Sequence, residues 1–222
     1  MSDLAGSVVW LSVLASGLGF CLLLHQLGAR ATYVRDLLHI GTGVWVLGWP
    51  WWKGTIAPVL ILGFALAVTV SLPVLARHSR FALLVVDSLA SGDERWSGLV
   101  SYVAAYALLS CAGLWLGAFA AGAALLSLSL GDGIGGAVGR RFGRHHYRAP
   151  GGKEKSIEGS VVVALAAAAG IAIAGWRFGA HPGAAEVAGL AVVAAVAEAL
   201  APRGSDNVVV PAAVWGVARL FA

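Results

Sequence analysis

Long apolar runs fill most of this chain and constrain its fold more than any other feature. A helix needs about 20 apolar residues to cross a bilayer. Only 12% of the 222 residues are charged, roughly half of what a soluble domain carries. We therefore expect an all-α, polytopic integral membrane helical bundle that forms a single domain, 1–222. The apolar runs lie at 7–25, 37–52, 55–75, 97–114, 116–138, 158–178, 184–201 and 207–221.

The lengths of these runs predict about eight crossings. The stretch from Gly98 to Val138 is too long for one crossing, and we expect it to break near Gly113–Gly117. The second and eighth runs are short for a straight crossing, so seven crossings is the alternative.

The distribution of basic residues predicts the orientation of the bundle. With eight crossings and the N-terminus outside, the outer side holds Lys53, Arg177 and Arg219. The other basic residues then lie at the cytoplasmic side, as the positive-inside rule requires. The net charge of +4 thus indicates topology and contact with anionic groups rather than nucleic-acid binding. The same orientation gathers most polar residues at the inner face, which favours a site for a cytosolic polar substrate that meets a lipid at the cell (inner) membrane.

The segment Gly131–Gly143 carries the most informative polar residue. Asp132 follows the apolar stretch Leu-Ser-Leu-Ser-Leu, where a carboxylate is costly unless it is paired or bound to metal. Glycines permit close approach of backbone to phosphate, and arginines such as Arg140 neutralise it. Gly131-x-Gly133-x-x-Gly136 matches a dinucleotide motif, but no βαβ unit surrounds it. The alternative interpretation of the glycines at 131, 135, 139 and 143 is tight helix packing.

A second polar segment, Lys153–Ser160, precedes the next apolar run. Ser156 is a candidate N-cap, and the helix N-terminus beside Lys155 would favour an anion. The alternative is that Ser156 only caps the helix and Glu158 only complements its dipole.

The third polar segment lies between the last two runs and contains Glu198, Asp206 and Asn207. Their oxygen atoms suit Mg²⁺ or ribose hydroxyl groups, whereas a simple turn between two crossings is the alternative. His39 lies four residues after Arg35 and shares a helical face with it.

In these segments the chain resembles the polyprenol kinase family, which includes dolichol kinase, phytol kinase and CTP-dependent diacylglycerol kinase and is related to the CDP-diglyceride synthases. Two departures stand out. Asp36 follows Arg35 where many members have lysine, and Gly136 stands where phytol-kinase-like members often carry a second aspartate. The resemblance rests on the order and spacing of Arg35-x-x-x-His39-Ile40, Glu94-Arg95 with Gly98 and Tyr102, Gly131-Asp132 through Gly139-Arg140-x-x-Gly143, Lys155-Ser156-x-Glu158-Gly159-Ser160, and Glu198 with Asp206-Asn207-x-x-x-Pro211.

The resemblance implies that the γ-phosphoryl group of CTP is transferred to a lipid alcohol with Mg²⁺ as cofactor. Polyprenols, phytol-like and farnesyl-type alcohols and diacylglycerol all fit as acceptors. The implied metal ligand is Asp132, with Asp206 or Glu198 as partner. The implied catalytic residues are Asp132, Lys155, Glu158 and His39, with Glu158 as candidate base or ligand of a metal-bound water. The implied nucleotide-binding residues are Arg35, Gly131, Gly133, Gly139, Arg140, Ser156, Gly159, Ser160 and Asn207.

Two other functions remain open from the sequence. A cytidylyltransferase acting on a lipid phosphate would use the same aspartate, lysine and Mg²⁺ but would attack the α-phosphorus. A transporter or non-catalytic membrane protein would be expected to carry ionisable groups near the bilayer midplane, where this chain has few.

Overall fold

The computed structural model describes residues 2–89, 95–150, 154–202 and 204–221, and within them the chain is an all-α bundle with one short hairpin. Glu94 of the family motif and Lys153 of the second polar segment lie outside these ranges, as do the charged residues Asp93 and Arg203. The helices are α1 (Asp3–Gln26), α2 (Ala31–Leu47), α3 (Ile56–Leu75), α4 (Arg80–Leu89), α5 (Arg95–Leu116), α6 (Ala118–Phe142), α7 (Ile157–Phe178), α8 (Ala184–Leu200) and α9 (Asp206–Ala218). The strands β1 (His146–Arg148) and β2 (Glu154–Ser156) pair antiparallel, with Tyr147 opposite Lys155.

The predicted membrane bundle is confirmed by the length and surface of the helices. In the described ranges α1, α3, α5, α6 and α7 are long and apolar enough to cross a membrane. Side chains such as Leu60, Phe64, Leu108 and Leu165 point outward and are 67% to 72% exposed. A surface of this kind is stable only against lipid tails. The count of eight crossings stays a prediction, because α2 and α8 have 17 residues each and α9 has 13.

The long apolar stretch breaks where the sequence predicts. α5 ends at Leu116, and α6 begins at Ala118. Gly117 between them has φ of +118°, a conformation that residues with a Cβ rarely adopt. Two elements were not predicted: the ten-residue helix α4 and the β1–β2 hairpin.

Helix α6 is the centre of the bundle and packs against α2, α5, α7, α8 and α9. Its residues Ala121, Ala123 and Ala124 are fully buried, because small side chains allow neighbouring helices to approach closely. The contact with α7 is the most extensive. A Cβ placed on Gly170 of α7 would lie 2.9 Å from the backbone carbon of Leu126.

The charged residues lie at two opposite ends of this bundle. Asp3 accepts hydrogen bonds from the backbone N–H groups of Lys53 (2.8 Å) and Gly54 (3.2 Å), which joins the N-terminus to the loop before α3. At the same end, the Nε of Arg177 donates to the Leu47 carbonyl at 2.7 Å. Lys53 and Arg177, two of the three basic residues assigned to the outer side, therefore lie at one end, away from Arg35, Arg140 and Lys155, which line a cavity at the other end.

This separation gives a direct test of orientation. Single cysteines at Lys53 and Arg144, both exposed charged positions at opposite ends, should react differently with a membrane-impermeant maleimide. We expect Lys53→Cys to be labelled in intact cells and Arg144→Cys only after permeabilisation, because basic loops stay inside. Labelling of Arg144→Cys in intact cells would contradict the predicted orientation. The parent protein, which carries the buried Cys21 and the partly exposed Cys111, serves as the background control.

Candidate active site

A cavity of about 530 Å³ opens at the basic end of the bundle, a size typical of small-molecule sites. All but three of the predicted site residues line it. The predicted residues in its wall are Arg35, His39, Asp132, Gly139, Arg140, Lys155, Ser156, Gly159, Ser160, Glu198, Asp206 and Asn207.

Two predicted groups, Asp132 and His39, lie further along their helices from the basic end than the rim arginines do, and we call them the cavity floor. Asp132 precedes Arg140 by eight residues on α6, so it lies about 12 Å further along the helix axis than that arginine. His39 follows Arg35 by four residues on α2, so it lies about 6 Å further along than Arg35. The His39 Nδ1 and the Asp132 Oδ2 are 2.8 Å apart. The imidazole is 3% exposed and stacks flat on the Tyr102 ring, with centroids 4.0 Å apart and planes 5° apart. The hydroxyl of Tyr102 also donates to the His39 carbonyl at 3.2 Å. The floor carboxylate is thus held by a rigid aromatic support.

Two arginines form one side of the cavity rim. Arg140 pairs with the buried carboxylate of Asp36 and lies 5.5 Å from the centre of the Tyr33 ring. Arg35 is close enough for its positive charge to act on Arg140. The Arg35 Nε is buried and donates to no acceptor in the described ranges. Because a buried guanidinium N–H needs an acceptor, this side of the rim suits a phosphate group.

The hairpin and α8 form the other side of the rim. The Lys155 Nζ donates to the Glu198 Oε1 at 2.6 Å and to the Glu198 carbonyl, and the two side chains are only 7% and 15% exposed. Ser156 caps α7 as predicted, since its Oγ accepts a hydrogen bond from the Gly159 N–H at 3.1 Å. This ion pair and cap fix the start of α7 beside the cavity.

Glu158 does not join the other predicted residues in this cavity. Its carboxylate accepts hydrogen bonds from the backbone N–H groups of Arg144 (3.1 Å) and His145 (3.3 Å), and its Oε1 is 2.6 Å from the His145 Nδ1. The reason is helix geometry, because successive residues turn by about 100° and Glu158 therefore faces away from Ser156. The prediction that it converges on the cavity is wrong.

Gly131 and Gly133 are also absent from the cavity wall. A Cβ on Gly131 would lie 3.4 Å from Val163 of α7, and one on Gly133 would lie 2.9 Å from the Asp36 carbonyl of α2. Because Asp132 points into the cavity, its two neighbours point to the flanking helices. For these two positions the structure supports the packing interpretation over nucleotide contact.

Several residues of the wall were not predicted as site residues. Gly135 and Gly136 line it beside Asp132, and Leu99 and Val163 contribute its apolar patches. Gly135 follows Asp132 by three residues and Gly136 by four, a spacing that could have assigned them to the same face.

The carboxylates of the cavity bear on whether Mg²⁺ fits. In the ranges that the structure describes, no three His, Cys, Asp or Glu side chains lie close enough to hold a metal by themselves. Mg²⁺ usually takes only one or two protein carboxylates and completes its shell with water and substrate phosphates. Asp132 and Asp206 both line the cavity, whereas Glu198 already holds Lys155. A donor set of one or two carboxylates therefore fits a Mg²⁺ ion that is also bound by substrate phosphates.

Comparison with known proteins identifies one informative relative. The phytol kinase of Synechocystis sp. is 32% identical over 219 residues, which cover 91% of this chain and 88% of that protein. No family model matches the chain, and no solved structure matches it.

Proposed function

The chain belongs to the polyprenol kinase family, the family of phytol kinase, and from this premise we propose that it is a CTP-dependent lipid-alcohol kinase. In this proposal the whole chain, 1–222, is one catalytic domain in the cell (inner) membrane. The cavity faces the cytoplasm and transfers the γ-phosphoryl group of CTP to an isoprenoid alcohol or diacylglycerol.

The observation that carries this proposal is the arrangement of charge along the cavity. The rim offers Arg140 and Arg35, whose buried Nε–H has no acceptor among the described residues, and the floor offers the carboxylate of Asp132. Phosphoryl transfer requires positioning and neutralisation of charge more than covalent participation of the protein. A triphosphate held at the rim would direct its terminal group toward the floor.

The position of the floor suits an acceptor that comes from the membrane. Asp132 lies within a helix long and apolar enough to cross the bilayer, so a lipid can keep its tail in hydrocarbon while its hydroxyl reaches this level. The hydroxyl oxygen would bond to the γ-phosphorus as the bond to the β–γ bridging oxygen breaks. CDP would leave, and the hydroxyl proton would pass to an acceptor group or water in the cavity.

Asp132 and Asp206 are the residues we propose to hold Mg²⁺ with the phosphates. The ion would neutralise charge on the transferred group and so supply the electrostatic part of catalysis. His39 and Tyr102 would keep the Asp132 carboxylate in place. Lys155 and the start of α7 would contact phosphate oxygens.

The assay for this function pairs purified protein in nanodiscs with Mg²⁺, CTP and a panel of lipid alcohols. We expect a lipid monophosphate with an isoprenoid alcohol or diacylglycerol, detected by mass spectrometry, and CTP to be preferred over ATP. Absence of any phosphorylated lipid from folded protein would contradict the proposal and favour a non-catalytic membrane protein.

The location of Glu158 yields a further prediction. Glu158→Gln should keep transfer within about tenfold of the parent, because the side chain contacts Arg144 and His145 rather than the cavity. The amide keeps one acceptor oxygen for the backbone N–H groups of Arg144 and His145 but loses the negative charge, so these hydrogen bonds should weaken and thermal unfolding should shift to a slightly lower temperature. A loss of activity beyond about a hundredfold without unfolding would restore Glu158 as a candidate base.

A further inference from the structure

Asn207, the second residue of α9, has a side chain that is only half satisfied. It lines the cavity and is 7% exposed. Its Nδ2 donates to the Gly98 carbonyl of α5 at 2.9 Å. Its Oδ1 is buried and accepts no hydrogen bond within the described ranges. Buried polar atoms in folded proteins almost always have a partner, so this oxygen indicates a group that arrives with a ligand.

The contact with Gly98 fixes what kind of group that is. A flipped amide would place two oxygens against each other, so the Nδ2 must face the carbonyl. The free half of the side chain can then only accept a hydrogen bond. A ligand group that carries a donor fits it, and a group that is only an acceptor is repelled.

The location of Asn207 relates it to one part of the nucleotide. Gly98 precedes Tyr102 by four residues on α5, so Asn207 lies about one helical turn nearer the rim than the ring that supports His39. In the proposed function the terminal phosphate is directed to the floor and the lipid hydroxyl meets it there. The base and sugar therefore remain at the rim, where Asn207 is.

We propose that the Asn207 Oδ1 accepts a hydrogen bond from the exocyclic amino group of cytosine and thereby selects CTP over UTP. This inference rests on the proposed kinase function and adds the residue that reads the base. Cytosine presents an amino donor at the position where uracil presents a carbonyl acceptor. A locked acceptor discriminates between these two groups, since the wrong base leaves the buried oxygen unpaired.

The test compares nucleotides in the unsubstituted protein and in Asn207→Ala, with one fixed lipid alcohol. The donors are CTP, UTP, the triphosphate of pyrimidin-2-one riboside, which lacks the 4-amino group, and 2′-deoxy-CTP. In the unsubstituted protein we expect kcat/KM for CTP to exceed kcat/KM for UTP by at least about tenfold. The kcat/KM for the pyrimidinone triphosphate should also be lower than that for CTP. In Asn207→Ala the CTP-to-UTP ratio should fall to within about threefold of one.

The CTP-to-UTP ratio of kcat/KM distinguishes recognition of the base by Asn207 from a purely structural role of this residue. Asn207→Ala also removes the contact between α9 and α5, but that loss would lower kcat/KM for all nucleotides alike. Ser205→Ala, in the same turn but with its hydroxyl on the Pro202 carbonyl, should keep the ratio of the parent. If Asn207→Ala does not fold, equal kcat/KM for CTP and UTP, or for CTP and the pyrimidinone triphosphate, in the unsubstituted protein still overturns the inference.

Three results would overturn the inference while leaving the kinase function intact. The first is equal use of CTP and UTP by the unsubstituted protein. The second is a CTP-to-UTP ratio in folded Asn207→Ala that equals the ratio of the parent. The third is a change in Asn207→Ala of the CTP-to-2′-deoxy-CTP ratio alone, which would mean that Asn207 contacts the sugar and not the base. Transfer from none of the nucleotides would instead overturn the proposed function itself, and this inference with it.

Discussion

Asp132→Asn should lower the rate of phosphoryl transfer by about a hundred- to a thousandfold while leaving the protein folded. The change keeps the shape of the side chain and its ability to accept a hydrogen bond from His39, which is 2.8 Å away. It removes the negative charge at the cavity floor, where we propose that Mg²⁺ and the transferred group meet. Losing one preorganised electrostatic contact of this kind typically costs that much in kcat.

The measurement is kcat with saturating CTP and lipid alcohol, with thermal unfolding as the check on folding. Asp87→Asn is the matched control, because Asp87 is an exposed carboxylate on α4 that does not line the cavity. Near-normal turnover in Asp132→Asn would mean that the carboxylate only orients His39 and takes no part in the reaction.

Lys155→Met should lower the free energy of unfolding by about 3–5 kcal/mol, because it leaves a nearly buried carboxylate without its partner. The side chain of Glu198 is 15% exposed and has Lys155 as its ion-pair partner at 2.6 Å. Lys155→Met/Glu198→Gln should therefore be less destabilised than the sum of the single changes. Transfer should remain low in the double variant, because the phosphate contact proposed for Lys155 is still missing.

Unfolding in a single detergent, followed by tryptophan fluorescence, gives the stabilities. Lys53→Met removes an exposed lysine at the opposite end of the bundle and should shift unfolding by less than about 0.5 kcal/mol. Additive losses in the double variant would show that the ion pair contributes no coupling. Full recovery of transfer there would remove Lys155 from the phosphate site.

Much of the fold could be predicted because the membrane demands long apolar helices. The break between α5 and α6 followed from length alone, and Gly117 supplies its geometry. Helix α4 was missed because its ten residues mix apolar and polar side chains and are too short to cross. The β1–β2 hairpin was missed because three-residue strands have no clear alternating pattern.

The site could be predicted as a set of residues but not as a set of pairs. Polar residues at the ends of successive crossings had to meet at one face, and His39, Asp132 and Asn207 do line one cavity. The pairs could not be predicted, because no local sequence pattern encodes contacts between distant residues. Arg140 pairs with Asp36, which is 104 residues away in the chain, and Lys155 pairs with Glu198, which is 43 residues away.

The errors within motifs have a single physical cause. Gly131, Gly133 and Glu158 were assigned to the site because they neighbour residues that belong there. On a helix, residues one or two positions apart point about 100° to 200° away from each other, so they face different neighbours. Residues three or four positions apart, such as Gly135 and Gly136 relative to Asp132, share its face and line the cavity.

Transfer from CTP labelled at one phosphorus at a time tests the central claim most directly. The purified protein is supplied with Mg²⁺, a lipid alcohol or the matching lipid phosphate, and CTP labelled at either the γ- or the α-phosphorus. We predict that the γ-label enters the lipid alcohol, that CDP is released, and that the α-label stays with the nucleotide. Incorporation of the α-label into a lipid phosphate with release of pyrophosphate would contradict this account and identify a cytidylyltransferase instead.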